Sequence, residues 1–322
     1  MGEPSFLAIT GPTASGKTSV SLAVAEALDG EIISVDSRQI YRGLDIGTAK
    51  VGGDARARVP HHGLDLVDPD EAYSAGRFAR SARVWIAAVR ARGRVPLLVG
   101  GTGFFLRALI EPMFREPPLE RERVAALRAH LASFPVETLA EWVRVLDPAR
   151  ARVARAGGAR RMIRTLEVTL LSGRPLSWWH ARGAPDAPGL EGPIVVLELP
   201  AEELDRRIDQ RVDRMLAAGL VGEVQGLLAA GYGPDDPGLT GVGYREVVGH
   251  LHDGWSLDRT RDAIRRATRR YARRQLTWLR NQLPDVGVLR LDATSPEPQL
   301  VEAIVDTWRR ARERAVRGGG AR

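Results

Sequence analysis

The sequence predicts an α/β fold in which a parallel sheet core is interrupted by an inserted helical subdomain. Three observations carry this. Short apolar runs, FLAIT (6–10), EIISV (31–35) and VPLLV (95–99), are separated by helically spaced segments, the pattern of a parallel sheet covered on both faces. The first run leads straight into the glycine-rich stretch GPTASGKT (11–18). Between about 115 and 190 the chain turns to short arginine-rich helical stretches, bounded by REPP and GAPDAPGLEGP, before IVVLEL (194–199) restores strand composition.

Taken in order, FLAIT is the first strand, and TSVSLAVAEAL (18–28) follows the loop with Val20, Ala23, Val24 and Ala27 at helical spacing. Strand, glycine-rich loop and helix together give a P-loop NTPase-like core. EIISV is the next buried strand and ends at Asp36; a helix starts near Ser74, and VPLLV then ends in GGTG. After IVVLEL come a long helix, LDRRIDQRVDRMLAAG, a Gly/Pro/Asp loop (231–243), an arginine-rich helix, a last strand VLRLD (288–292) and a terminal helix. The expected organisation is a core over 1–114 and 191–315, the insertion over 115–190, and a disordered tail over 316–322.

Composition narrows the function classes. The chain has 322 residues and no cysteine, which excludes disulfides, thiolate chemistry and Cys-ligated zinc. Its six histidines form no HExxH, and VPHHG (59–63) reads as a loop in which His61 and His62 pack or hydrogen-bond. No apolar run approaches the roughly 18 residues a membrane span needs, and no signal-type segment opens the chain, so a cytoplasmic protein without membrane contact is expected. Net charge is +7 and the isoelectric point about 10.4, which suits a polyanionic partner. The charge is concentrated: residues 259–280 hold nine arginines and one aspartate. Pairs within that helix cannot neutralise such an excess, and a nucleic-acid backbone is the simpler account. Arg266, Arg270, Arg273 and Arg280 are expected along one side, with Ile264, Ala267, Tyr271 and Trp278 packing on another. Trp178 and Trp179 read as a packing cluster of the insertion.

The chemistry-bearing residues gather at strand ends. In the phosphate loop, Gly11 and Gly16 let backbone N–H groups converge on phosphate oxygens. Pro12, Thr13, Ala14 and Ser15 complete the turn, Lys17 adds an ammonium, and Thr18 can hold Mg²⁺ while opening the helix. Only two lysines exist in the chain, Lys17 and Lys50. The motif is that of ATP-binding loops, but it recognises a diphosphate and does not by itself identify a nucleoside. Asp36 can either bind Mg²⁺ through water or accept a proton from an attacking group. No acidic residue follows VPLLV; two glycines and Thr102 stand there instead, so the usual second metal-holding group of ATPases is missing. Arg160, Arg161 and Arg164 alternate with Met162, Ile163 and Leu166 as in an amphipathic helix.

GPTASGKT, ISVDSRQIYRGLDIGTAK (33–50), VPHHGLDLVDP (59–69), LLVGGTGFFLRAL (97–109), RRMIRTLEV, GVGYREV (241–247) and ATRRYARRQLTWLRN (267–281) together resemble the bacterial tRNA dimethylallyltransferases, in the family's order and across nearly the whole chain. The resemblance implies that the loop from Gly11 to Thr18 cradles the diphosphate of dimethylallyl diphosphate. The acceptor would be the exocyclic amine of the adenosine 3′ of the tRNA anticodon. It implies that Asp36 is the general base, that Thr102 orients the reacting groups with Lys17, and that Mg²⁺ is the cofactor. Ser37, Arg38 and Gln39 would contact the anticodon stem-loop with Asp36 and Thr102. So would Arg123, the stretch Arg160, Arg161, Met162, Ile163 and Arg164, and the stretch Gly243, Tyr244, Arg245 and Glu246. Where the family often has Asp-Pro-Gln-Arg, this chain has Gly158-Ala159-Arg160-Arg161. A monomer is expected. Three rivals fit the residues less fully: a small-molecule kinase using ATP, an RNA-binding ATPase, and a prenyltransferase of free adenosine phosphates, which would leave the basic helix without a purpose.

Overall fold

The computed structural model describes residues 3–111, 117–182, 187–283 and 287–319. Six parallel strands form one sheet: β1 (Leu7–Thr10), β2 (Gly30–Ser34), β3 (His61–His62), β4 (Val95–Gly100), β5 (Ile194–Glu198) and β6 (Val288–Asp292), in the order β3-β2-β4-β1-β5-β6. Every residue of β1 and β2 is buried, whichever way its side chain points, which requires cover on both faces. Registers such as Leu7 opposite Leu97 and Ala8 opposite Ile194 put the apolar runs side by side. β6 has no buried position, with Arg290 and Asp292 exposed, as suits an edge strand.

Helix α1 (Lys17–Ala27) packs across β2 and β4 and against the terminal helix, while α2 (Gly53–Arg58) is one exposed turn and a half. α3 (Ala75–Ala91), capped by Ser74 accepting from Arg77 N at 3.1 Å, packs on β2, β4 and α4 (Gly103–Ile110). The chain divides into two compact units, Met1–Glu111 with Leu190–Arg322, and Pro112–Gly189.

The second unit contains α5 (Arg121–Ala132), α6 (Val136–Leu146), α7 (Ala151–Ala156), α8 (Gly158–Ser172) and α9 (Leu176–Arg182). Its core gathers Leu131, Leu139, Val143, Ala154, Met162 and Leu166. Glu167, fully buried among them, is matched by Arg128, which donates to its two oxygens at 2.6 and 3.0 Å; a charge so placed needs such a partner. Trp178 and Trp179 pack edge to face within this unit.

In the first unit the chain resumes with α10 (Ala201–Ala217), α11 (Leu220–Ala229), α12 (Tyr244–His252), α13 (Leu257–Asn281) and α14 (Glu297–Gly319). Two expectations are corrected. VPHHG is not all loop: His61 and His62 pair with Ile32 and Ile33 as β3. α14 continues through Gly319, so residues 316–319 are helical rather than disordered, and 320–322 lie outside the described residues. Among the described residues no helix is long and apolar enough to cross a membrane.

Candidate active site

The return of β4 between β2 and β1 makes a crevice at the strands' C-terminal ends, where ligands of such sheets bind. The phosphate loop leaves β1 there, Asp36 follows β2, and Gly100, Gly101 and Thr102 follow β4. Gly16 takes a left-handed conformation (φ 85°) at the point where α1 begins, which turns the helix N-terminus toward the crevice. A cavity of about 420 Å³ opens above it. Thr13 through Thr18 line one wall, Asp36 and Gln39 a second, and Arg206, Arg207, Arg211 and Arg214 of α10 a third. Tyr271 and Gln275 of α13 complete it.

Its electrostatics suit a polyanion. Lys17 Nζ donates to Gly11 O at 3.0 Å, Pro12 O at 2.6 Å and Ser15 Oγ at 3.3 Å. Burial first, and then the Arg211 guanidinium, lower its pKa to about 7, against an opposing pull from Asp36. Burial likewise lowers Arg211, which Asp36 partly offsets. Positive groups crowded together out of water gain from an anion that satisfies them at once. Tyr271 is pushed up to about 12, chiefly by burial and then by the Asp36 charge, so its hydroxyl stays protonated.

The Asp36 carboxylate is fixed by its own turn: Oδ1 accepts from Arg38 N at 2.8 Å and from Gln39 N at 3.4 Å. Thr102 does not line the cavity. Its Oγ1 accepts from Ser37 N at 3.0 Å, and its N donates to Val35 O, so it ties the end of β4 to the Asp36 turn. Gln275, buried on α13, spans two loops: Oε1 accepts from Thr13 N and Nε2 donates to Gly101 O, both at 2.9 Å.

The other expected contact residues fall into two groups. Ser37 lies on the Asp36 turn, half-buried. Arg38 reaches Pro237 O at 2.6 Å and Gln39 bridges Ser34 and Thr48, so both are engaged inside the protein. Tyr244 is fully buried, donating to Glu223 Oε1 at 2.6 Å, and Glu246 accepts from Gly243 N at 2.7 Å; only Arg245 of that stretch is exposed. In the second unit Arg123, Arg160 and Arg161 are exposed, and Arg164 and Ile163 half-buried. Met162 belongs to that unit's core, so the contact surface expected across 160–164 cannot include its side chain.

The basic helix needs a correction. Arg261, Arg265 and Arg269 are matched by α10: Arg265 Nη2 lies 2.7 Å from Asp213, Arg269 Nη2 2.6 Å from Asp209, and Arg261 Nε 3.5 Å from Asp213. The excess is therefore partly neutralised between helices rather than within one. Arg266 and Arg270 are exposed with no acidic partner among the described residues.

For Mg²⁺, the donors on the cavity wall are the Thr18 hydroxyl and the Asp36 carboxylate. No three His, Cys, Asp or Glu gather as a metal cluster among the described residues. That sparse set fits Mg²⁺, which keeps several waters and is held by one or two protein groups plus substrate phosphates.

Sequence reasoning missed Arg207, Arg211, Arg214 and Gln275. The arginines carry a signal: Asp205, Asp209 and Asp213 recur every four residues, and Arg207, Arg211 and Arg214 fall roughly 140–200° from their mean direction on the helix, so one helix shows acid to α13 and base to the cavity.

The IPP transferase family model matches residues 39–282. A tRNA dimethylallyltransferase from Halorhodospira halophila is 46% identical over 287 residues, 87% of this chain and 91% of that protein. Among solved structures, a full-length tRNA isopentenylpyrophosphate transferase from Bacillus halodurans superposes with a TM-score of 0.71 at 33% identity, covering 98% of this chain and 99% of the other. A eukaryotic dimethylallyltransferase caught acting on tRNA superposes with a TM-score of 0.76 at 27% identity, covering 89% and 73%.

Proposed function

The chain belongs to the IPP transferase family, and on that premise we propose that it transfers a dimethylallyl group from dimethylallyl diphosphate to the exocyclic amine of the adenosine 3′ of the anticodon in tRNA, in the cytoplasm and as a monomer. The observation that carries the reading is the cavity, where an anion cage and a carboxylate face one space. The phosphate loop, Lys17 and Arg211 hold the diphosphate. The amine nitrogen bonds to C1 of the allyl group as the C1–O bond breaks, its electrons leave on the diphosphate, and the amine proton passes to Asp36. Positive charge developing on the allyl group is delocalised, so the protein's main task is to stabilise the departing anion in place. Mg²⁺ would be held by the Thr18 hydroxyl together with the diphosphate and would supply further neutralisation of the leaving group, which leaves the Asp36 carboxylate free as the base. Thr102 acts on the reacting groups through the Asp36 turn.

The adenosine cannot react while stacked in the anticodon loop and must be extruded into the cavity. Exposed arginines hold the RNA backbone: Arg266 and Arg270 on α13, and Arg123, Arg160 and Arg161 in the second unit. Arg245 and the Ser37 to Gln39 turn contribute at the core. The direct test incubates labelled dimethylallyl diphosphate with an unmodified anticodon stem-loop, with ATP as the competing donor. Label in RNA is expected; an untouched isoprenoid alongside brisk ATP consumption would overturn the reading.

Reversing Arg266 and Arg270 to Glu is expected to weaken stem-loop binding by tenfold or more. It should also make the plot of log affinity against log salt shallower by about 1.5, the loss of two backbone contacts. An unchanged slope in a salt titration would make these two arginines a solvated face.

A further inference from the structure

We infer that Glu223, on α11 and outside the cavity, is a positioning residue for the diphosphate cage; this rests on the transfer reading above. Its carboxylate gathers a whole turn. Oε2 accepts from Asp45 N at 2.9 Å and Ile46 N at 2.6 Å, while Oε1 accepts from Gly47 N at 3.1 Å and from the Tyr244 hydroxyl at 2.6 Å. Three successive backbone N–H groups converging on one carboxylate form a nest, which fixes the direction of the chain that leaves it. Tyr244 locks the arrangement from behind: its ring lies so close to Gly47 that a Cβ there would come within 2.5 Å of it.

The turn is held from its other end as well. Lys50, its side chain 1% exposed, donates to Tyr41 O at 2.8 Å and to Asp45 and Asp65 at 2.6 Å each. Between the two anchors Ala49 is forced into the left-handed region at φ 49°. An L-residue persists there only when its surroundings over-determine it, and such strain concentrates at working sites.

Thr48 and Ala49 of the anchored turn line the cavity, and the Thr48 carbonyl holds two other side chains of its lining. That oxygen accepts from Arg211 Nη2 at 3.2 Å and from Gln39 Nε2 at 3.3 Å. Arg211 is thus held in the cavity wall, where its charge is felt at Lys17, and Gln39, whose own N–H donates to Asp36, is steadied beside the carboxylate. Among the described residues Arg211 has no other hydrogen-bond acceptor. A carboxylate on α11 therefore reaches the diphosphate only through Ile46 to Thr48, and its removal should loosen the cage without removing a group from it.

The test uses the full chain and the variants Glu223→Gln and Arg211→Lys, alone and together. An amide at 223 cannot accept from four donors, and hydrogen bonds to a charged group are worth enough that inorganic pyrophosphate binding should weaken by about tenfold. KM for dimethylallyl diphosphate should rise by the same factor, kcat should fall by less than about threefold, and stem-loop affinity should hold. Because both changes act on one guanidinium, the double variant should bind pyrophosphate no worse than Arg211→Lys alone. A merely structural glutamate would lower the melting temperature while leaving pyrophosphate affinity untouched, and that result, or effects that multiply, overturns the inference. Should Glu223→Gln not fold, Tyr244→Phe keeps the three amide contacts and decides: about a threefold loss of pyrophosphate affinity supports the role, and none overturns it. A wild-type chain that binds pyrophosphate yet transfers no isoprenoid would instead defeat the transfer reading.

Discussion

Asp36→Asn is expected to slow dimethylallyl transfer by about 10² to 10⁴-fold, the range contributed by a positioned general base. The substitution is close to isosteric. Both backbone bonds to the side chain, from Arg38 N and Gln39 N, fall on Oδ1, and an amide oxygen can receive both, though more weakly than a carboxylate. The turn that carries Ser37, Arg38 and Gln39 should therefore keep its shape, and stem-loop affinity should stay within a few-fold. What the amide cannot do is take a proton from an amine whose lone pair is delocalised into the purine ring. Single-turnover transfer measured beside filter binding separates the two quantities; near-normal transfer by the variant would remove Asp36 from the base role.

Lys17→Met should cost about 10² to 10³-fold in transfer, comparable to losing one donor of a preorganised anion hole. Methionine fills the same space but leaves the Gly11 and Pro12 carbonyls facing no cation. A second readout follows from the depressed pKa. With its pKa lowered to about 7, Lys17 is mostly neutral at pH 8, and a bound polyanion favours its charged form. Pyrophosphate binding to the wild-type chain at pH 8 should therefore draw in most of a proton, an uptake that fades as pH falls below 7 and is missing from the methionine variant. Calorimetry in buffers of different ionisation enthalpy reads this directly. Equal proton uptake by both proteins would contradict the assignment.

The central sheet was legible because its inner strands are buried on both faces and only the edge strand β6 carries exposed charge. FLAIT, EIISV, VPLLV, IVVLEL and VLRLD read as apolar runs without reference to any partner, and the strands lie within a residue of those bounds. β3 was not legible. Two histidines carry no strand signal, and they are strand only because Ile32 and Ile33 offer them an edge. The phosphate loop and Asp36 could be read because each sits at the end of a run that names its own position. Arg211 and Gln275 could not: what makes them site residues is the docking of α10 and α13 over the sheet, a long-range arrangement that no local period encodes. The same docking explains the overestimate of free charge on α13. Asp205, Asp209 and Asp213 lie some fifty to seventy residues upstream, outside any window in which pairing is visible.

The end of β4 closes off one evolutionary route. A Cβ on Gly100 would strike the backbone of Val35, and one on Gly101 would strike the Gln275 amide. At Gly100 a side chain could be gained only by moving the Val35 backbone, whereas at Gly101 it would displace the Gln275 amide that ties the phosphate loop to the end of β4. A carboxylate at the end of this strand would therefore come at the expense either of the sheet's own packing or of the tether on the phosphate loop, so the bare glycine pair and the shape of the anion cage are inherited together.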